Sequence, residues 1–477
     1  MQHLRQEEPP ADVVPAARVE TAGAAGGVRG SAAIRPTRGG TLARGRRGGV
    51  ERNTMRLLHT SDWHLGHTLH EASREDEHAA FLEWLLATIG ERDVDALIVT
   101  GDVFDSSNPP ASAQRSWYRF LVAAGQRRPG LQVVAIAGNH DSAARLEAPR
   151  EVLAALDVTV VGELPRIDGR VDPDRLLVPL ADRDGVRRAW VAAVPYLRPS
   201  DLTGFGTEAD GEDEDGPAVD PGASRITAAY AEVAALAKSR RRDGEAIILT
   251  GHLFAAGGLL SEKSERKIQK GNLEVVSSDS FDGDAAYVAL GHLHLAQRVG
   301  DRDNVRYAGS PIPLSLDEAG YPHQVVLVEL EGARAKSVET IRVPKSVEIL
   351  RLPESGPARL AEVLPILRDL PADEDPERRG PDRRAFLEVR LLVEATEPSW
   401  RSEIESAVAE KSVRLLRVDR ASTGTGDAAH EQTDLSLAEV TPEEVFRMKY
   451  AREHGGEPWP ELLAAFHELL AEAEAER

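Results

Sequence analysis

Cysteine is absent from the 477-residue sequence. Disulfides and zinc–thiolate sites are thereby excluded, and any metal must be held by His, Asp, Asn or Glu. No apolar run reaches the ~18 residues that a membrane span needs, so no membrane contact is expected. The first residues lack the continuous apolar core of a secretory signal. These absences fit a soluble, cytoplasmic protein. A Gly-x-x-x-x-Gly-Lys-[Ser/Thr] loop is missing too, so any ATP dependence must come from a partner. No internal repeat of roughly 20–50 residues is evident. Positive charge is also scarce: 58 Lys and Arg face 79 Asp and Glu, for a net charge of −21. That balance argues against a surface coated with phosphate-binding side chains. A polyanionic substrate would need metal cations in the site, or a partner subunit, to be tolerated.

What is present suffices for a buried core, since 41% of residues are hydrophobic. The length suggests about two to four domains. Residues 1–54 are Ala-, Gly- and Arg-rich, with nine Arg, no Lys and five acids. They read as a disordered extension or a misplaced start, because Met55 begins the first clear strand. From there short apolar runs at 56–59, 96–100, 133–137, 190–194, 246–250 and 287–290 alternate with helix-like stretches such as 78–89 and 112–123. Strand–helix alternation of this kind predicts a layered α/β sandwich over 55–345. An acidic, Gly- and Pro-containing stretch at 205–222 reads as a surface loop.

Composition shifts near 341–352. Residues 346–420 read strand (348–352), helix (358–370), charged loop, strand (386–393), helix (400–410), strand (413–418), enough for a small α+β domain. The remainder, 421–477, is a polar linker and a helical segment. Thr441-Pro442-Glu443-Glu444 has capping-box form with Pro at the first helical position. Leu462, Leu463, Phe466, Leu469 and Leu470 then follow the spacing of one apolar helix face. Short terminal helices after a linker suit a partner's apolar groove.

Five motifs carry the metal-type ligands, each after an apolar run. They are Asp62-Trp63-His64, Gly101-Asp102, Gly138-Asn139-His140-Asp141, Gly251-His252 and Gly291-His292-Leu293-His294. Strands that end in such residues deliver them to one edge of a sheet, where open α/β folds build their sites. Glycine before a ligand allows a sharp turn and close backbone approach. Carboxylate, imidazole and amide oxygen together suit Mn²⁺ or a similar divalent ion better than Ca²⁺. Two such ions, roughly 3.5–4 Å apart, could clamp a phosphodiester, and Asp102 is the natural bridging carboxylate.

The motif series resembles that of the calcineurin-like metallophosphoesterases. SDWHLG (61–66), GDVFD (101–105), AGNHD (137–141), TGHLF (250–254) and ALGHLH (289–294) are similar to the SbcD-type nuclease branch, as are SEKSER (261–266) and AGSPIPLS (308–315). The resemblance implies one metal held by Asp62, His64, Asp102 and His294. It implies a second held by Asp102, Asn139, His252 and His292. His140 would be a catalytic residue and not a ligand, stabilising the scissile phosphate or protonating the leaving oxygen, with Asp141 orienting its ring. The resemblance further implies manganese, a DNA-capping role for 346–420, and docking of 421–477 on an SbcC-type ATPase. It also implies a homodimer of this subunit, within a heterotetramer, that works on DNA. The activity would be exonuclease on double-stranded ends and endonuclease on single strands and hairpins, in DNA repair, recombination and replication.

Blander readings accompany several residues. His67, His70 and His78 read as surface or helix positions without a role. Turn chemistry accounts for Asp105 and Asn108, with a substrate contact as the alternative. Lys263, Arg266, Lys267 and Lys270 read as a solvated loop or as an edge of the DNA path. Trp63, between two candidate ligands, is expected to pack beneath the site. For the whole chain, the competing functions are a phosphatase or small phosphodiesterase on the same two-metal core, or a scaffold that tethers DNA ends without cutting.

Overall fold

The protein is described by a computed structural model covering residues 54–205, 221–255, 276–375, 380–393 and 399–422, with Tyr450 and Leu462 besides. The expected N-terminal extension up to residue 53, most of the acidic loop, the basic run at 263–270 and the capping box lie outside the described residues, whereas Thr54 already belongs to the first strand. So do all of the linker beyond residue 422 and all but two positions of the terminal helices.

Two six-stranded sheets face one another. Across the first, the strand order is Arg334–Arg342, Gln324–Glu331, Thr54–Thr60, Ala96–Thr100, Gln132–Ile136, Val158–Val161. Across the second it is Gln297–Val299, Arg302–Tyr307, Tyr287–Gly291, Ala246–His252, Arg187–Ala192, Leu177–Ala181. The central strands of each sheet pair in parallel. All five residues of Ala96–Thr100 and all seven of Ala246–His252 are buried. Both faces of these strands are covered, which is why they read as unbroken apolar runs and not as alternating ones.

Three apolar layers follow. Leu57, Ile98, Val134, Val191, Ile248 and Val326 fill the space between the sheets. On the outer face of the first sheet, Leu58, Leu97 and Val99 pack under Phe81 and Leu85 of the helix Glu75–Glu91 and Trp117 and Phe120 of Ala111–Arg127. Beneath the second, Trp190, Leu249 and Val288 meet Tyr230 and Val233 of the helix Pro221–Arg240. The helix expected from residue 78 begins at Glu75, because three acids occupy its first turn, where the helix dipole favours them. Among the described residues no helix is long and apolar enough to cross a membrane.

A third sheet joins Ile349–Leu352, Ala385–Val393 and Val413–Ser422. The expectation here was α+β, and the structure differs. All three strands run parallel, with the helices Leu360–Arg368 and Trp400–Val408 as crossovers. Parallel neighbours require a long return connection, and a helix after each strand provides it. Phe386 anchors this unit by packing with Leu69, Leu316 and Val347.

Candidate metal centre

The ends of Thr54–Thr60 and Ala96–Thr100 in one sheet, and of Ala246–His252 and Tyr287–Gly291 in the other, converge on one place. The backbone beyond the first strand is tied to the backbone beyond the second: Asp62 N–H donates to Gly101 O (3.1 Å) and His64 N–H to Asp102 O (3.0 Å). Asp62, His64, Asp102 and His292 all have positive φ, between 45° and 101°. Side chains other than glycine seldom adopt that conformation, at a cost of ~1–3 kcal/mol each, and such residues cluster at functional sites.

Glycines make the approach possible. A Cβ on Gly138 would lie 2.1 Å from Asp102 Oδ1, one on Gly101 2.2 Å from His252 Nδ1, and one on Gly291 1.9 Å from the Thr100 carbonyl oxygen.

Three overlapping groups each place ligand atoms within 4.8 Å of one another: Asp62, His64 and His294; His64, Asp102 and His140; Asp62, Asp102 and His252. Asn139 and His292 stand beside these groups. Asn139 Oδ1 lies 3.0 Å from His252 Nε2 and 3.1 Å from His292 Nδ1. Asp102 is fixed by the His140 N–H, which donates to its Oδ1 at 2.9 Å. Its other oxygen faces His64 Nε2 at 3.4 Å and His252 Nε2 at 3.2 Å. The His292 N–H donates to Asp62 Oδ1 at 3.0 Å.

The donor chemistry fits a divalent cation. His252 gives its Nδ1–H to the Thr100 carbonyl (2.9 Å), which can only accept, so its Nε2 faces two acceptor oxygens. Such an arrangement needs positive charge between the atoms, either a proton or a metal ion. His64 repeats it: Nδ1 is turned to Asp105 Oδ1 (3.1 Å), and the buried Nε2 has no hydrogen-bond partner. Electrostatics agree. Burial opposes ionisation of Asp102, yet His252 and His64 hold its carboxyl well below the usual carboxylate range. Burial likewise opposes charge on His252, but Asp102 and Asp62 raise it to about 9. His292 is pushed down to about 3 by burial and by His252.

His140 is exposed at the mouth of the centre. Its ring is held by the Asp105 backbone carbonyl, 2.8 Å from Nδ1. The expectation that Asp141 orients this ring is corrected. Asp141 is buried, and its carboxylate instead accepts the N–H groups of Val103, Phe104 and Gly138 at 2.9–3.2 Å. Buried amides need acceptors, and these three take both oxygens.

Other side chains depart from their blander readings. Asp105 Oδ1 receives His67 Nδ1 (2.9 Å) as well as His64, and His67 Nε2 donates to Leu314 O (3.0 Å). His78 takes the helix position read for it, in Glu75–Glu91, with its ring buried on Trp63 O, and His70 and Asn108 are exposed. Trp63 does pack beneath the site, fully buried and edge-on to Phe81, Trp117 and Phe120. No sequence motif contains Glu318. It is fully buried and accepts His294 Nδ1 at 2.9 Å. Its one signal was its place just after the AGSPIPLS stretch.

Comparison with known proteins places residues 55–296 in a match to the calcineurin-like phosphoesterase family. Residues 343–454 match a second family, described as a type 5 capsule protein repressor C-terminal domain. Three relatives each carry the name of the SbcD subunit of the nuclease SbcCD. That of Rhodobacter capsulatus is 41% identical over 394 residues, covering 82% of this chain and 93% of the relative. The Escherichia coli K12 protein is 35% identical over 430 residues, covering 88% and 100%. The Bacillus subtilis protein is 31% identical, covering 88% and 99%.

Proposed function

The chain belongs to the calcineurin-like phosphoesterases, and within them to the SbcD family of nuclease subunits; from that premise we propose that it cuts DNA phosphodiesters at this centre with two divalent ions. It is a metal-dependent nuclease subunit of DNA end processing, and an SbcC-type subunit is its partner. The observation that carries the two-ion reading is Asp102 Oδ2, within 3.4 Å of His64 Nε2 and 3.2 Å of His252 Nε2, poised to bridge. Asp62, His64 and His294 would complete one side, and Asn139, His252 and His292 the other. The mixed oxygen and imidazole donors support manganese.

When bound, the ions neutralise phosphoryl charge and activate water. The chain's own residues do the rest. The strand ends and the left-handed backbone hold the ligands before substrate arrives, so little reorganisation accompanies reaction. His140 donates Nδ1–H to the Asp105 carbonyl, which leaves Nε2 to face the phosphate; with a second proton on Nε2, the imidazolium would pass that proton to the leaving oxygen and return to the neutral Nδ1–H form. Asp141 keeps the Gly138 turn and the Val103–Phe104 backbone together, so it fixes the loop that carries His140.

The parallel three-stranded unit would cap the DNA, and the segment beyond 421 would dock on the ATPase. A homodimer contact within a heterotetramer would use the first helices, where Val122 of Ala111–Arg127 is exposed.

The deciding experiment compares wild type with His140→Ala on duplex ends, hairpins and mononucleotides, in Mn²⁺ and in Mg²⁺, with and without the ATPase. Cleavage of DNA in Mn²⁺ by wild type alone is the expected result. Good hydrolysis of mononucleotides with duplex DNA ignored would overturn the reading in favour of a phosphatase. Unchanged biological activity of the mutant would favour a scaffold.

A further inference from the structure

The two halves of the centre are held in different ways. His252 takes its orientation from the main chain of a core strand, through the Thr100 carbonyl. His64 and His294, which cluster with Asp62, take theirs from side-chain carboxylates. Both carboxylates lead back to Leu314. Its carbonyl accepts His67 Nε2 (3.0 Å), and the other nitrogen of that ring holds Asp105, the partner of His64. Its N–H donates to Glu318 Oε2 (2.8 Å), whose other oxygen holds His294. One peptide residue thus sets two imidazoles of the same half.

The stretch from Pro313 to Glu318 is clamped on its far side by the three-stranded sheet. Asp317 pairs with Arg351 at 2.8 Å, and Leu316 packs with Val347 and Phe386. Arg74 donates to the Pro313 carbonyl (2.7 Å) while its guanidinium lies 5.4 Å from the centre of the Phe386 ring. Imidazole ligands bind metal well only when the outer hydrogen bond fixes ring and tautomer. A shift of residues 313–318 would therefore misdirect His64 and His294 and leave His252 untouched.

We propose that the seating of the three-stranded sheet on residues 313–318 sets the metal affinity of the His64–His294 half of the centre, with Glu318 and Asp105 as positioning residues. The inference rests on the two-ion reading above. It makes one of two metal equivalents conditional on a domain contact.

The test counts Mn²⁺ bound to the metal-free, full-length protein, reading free Mn²⁺ by electron paramagnetic resonance. Wild type should bind two equivalents. Glu318→Gln, and separately Asp317→Asn and Phe386→Leu, should each weaken one equivalent by about 10–100-fold, with the other unchanged. Nuclease activity of Asp317→Asn should recover at high Mn²⁺, which damage to the fold would not allow. Should Phe386→Leu lower the melting temperature markedly, the surface change Asp317→Asn carries the test. Equal weakening of both equivalents would overturn the proposal. So would a weakened Glu318→Gln beside normal Asp317→Asn and Phe386→Leu. Failure of the underlying reading looks different: wild type would bind fewer than two ions, or Asp102→Asn would bind as many as wild type.

Discussion

The Thr100 carbonyl oxygen accepts the His252 Nδ1–H at 2.9 Å, across 152 positions of sequence and from one sheet to the other. That bond locks a strand end of each sheet to its counterpart and points His252 Nε2 at Asp102. It exists because no side chain stands in its way: a Cβ on Gly291 would lie 1.9 Å from the same oxygen.

Gly291→Ala should therefore push the two strand ends apart. A misplacement of about 1 Å costs on the order of 100-fold in rate. Nuclease assays at saturating Mn²⁺ should show at least that loss. Wild-type cleavage by this variant would mean the sheets do not need to approach so closely.

His140→Ala should keep both metal equivalents and lose cleavage by roughly 10²–10⁴-fold, the range for a missing general acid. Metal titration beside single-turnover kinetics checks both halves. Loss of metal would make His140 a ligand, as its grouping with His64 and Asp102 permits.

Asp141→Asn replaces one acceptor oxygen with a donor and leaves a buried N–H of Val103, Phe104 or Gly138 without an acceptor. An unsatisfied buried amide costs ~1–3 kcal/mol. Urea unfolding should register a loss on the order of 2 kcal/mol. An unchanged midpoint would show that the loop rearranges freely.

His59 lies buried between Tyr287 OH and Thr100 Oγ1, and burial lowers its pKa from 6.5 to about 3. The folded ring is neutral, whereas the unfolded one takes up a proton below 6.5. Its contribution to stability is full above that pH and is lost as pH falls towards 3. At pH 5 the deficit is about 2 kcal/mol. The stability of wild type relative to His59→Gln should fall by that amount between pH 7 and pH 5. A constant difference would refute a neutral buried ring.

Removing metal should abolish cleavage and lower the melting temperature. Ions that bind the folded chain alone stabilise it by about 2.7 kcal/mol at a hundred times the dissociation constant. Calorimetry with EDTA, then with Mn²⁺ restored, measures the difference. An unmoved transition would argue that no ion binds the folded centre.

Much of this centre was legible from local pattern. The runs ending at Asp62, Asp102, Asn139, His252 and His292 each combine an apolar strand with glycine or a ligand within a few residues. Such signals need no knowledge of the rest of the chain. The strand–helix alternation announced a layered α/β fold for the same reason. Less local features escaped. The antiparallel pair Gln324–Glu331 and Arg334–Arg342 closes the first sheet beside Thr54–Thr60, yet no motif marks it. The small C-terminal unit reads as α+β in sequence because strand direction is a property of the assembled sheet.

By itself the sequence determined which residues with metal-type donors stand at strand ends, and their order along the chain. Tertiary structure alone decided how those residues are held. Asp141 serves backbone amides and not the ring of its neighbour His140, since geometry rather than adjacency selects a hydrogen-bond partner. Asp105, His67 and Glu318 acquire their roles through Leu314, which is 247 positions from His67. A contact over that separation leaves no periodicity or spacing to read, because nothing short of the folded chain brings its two ends together.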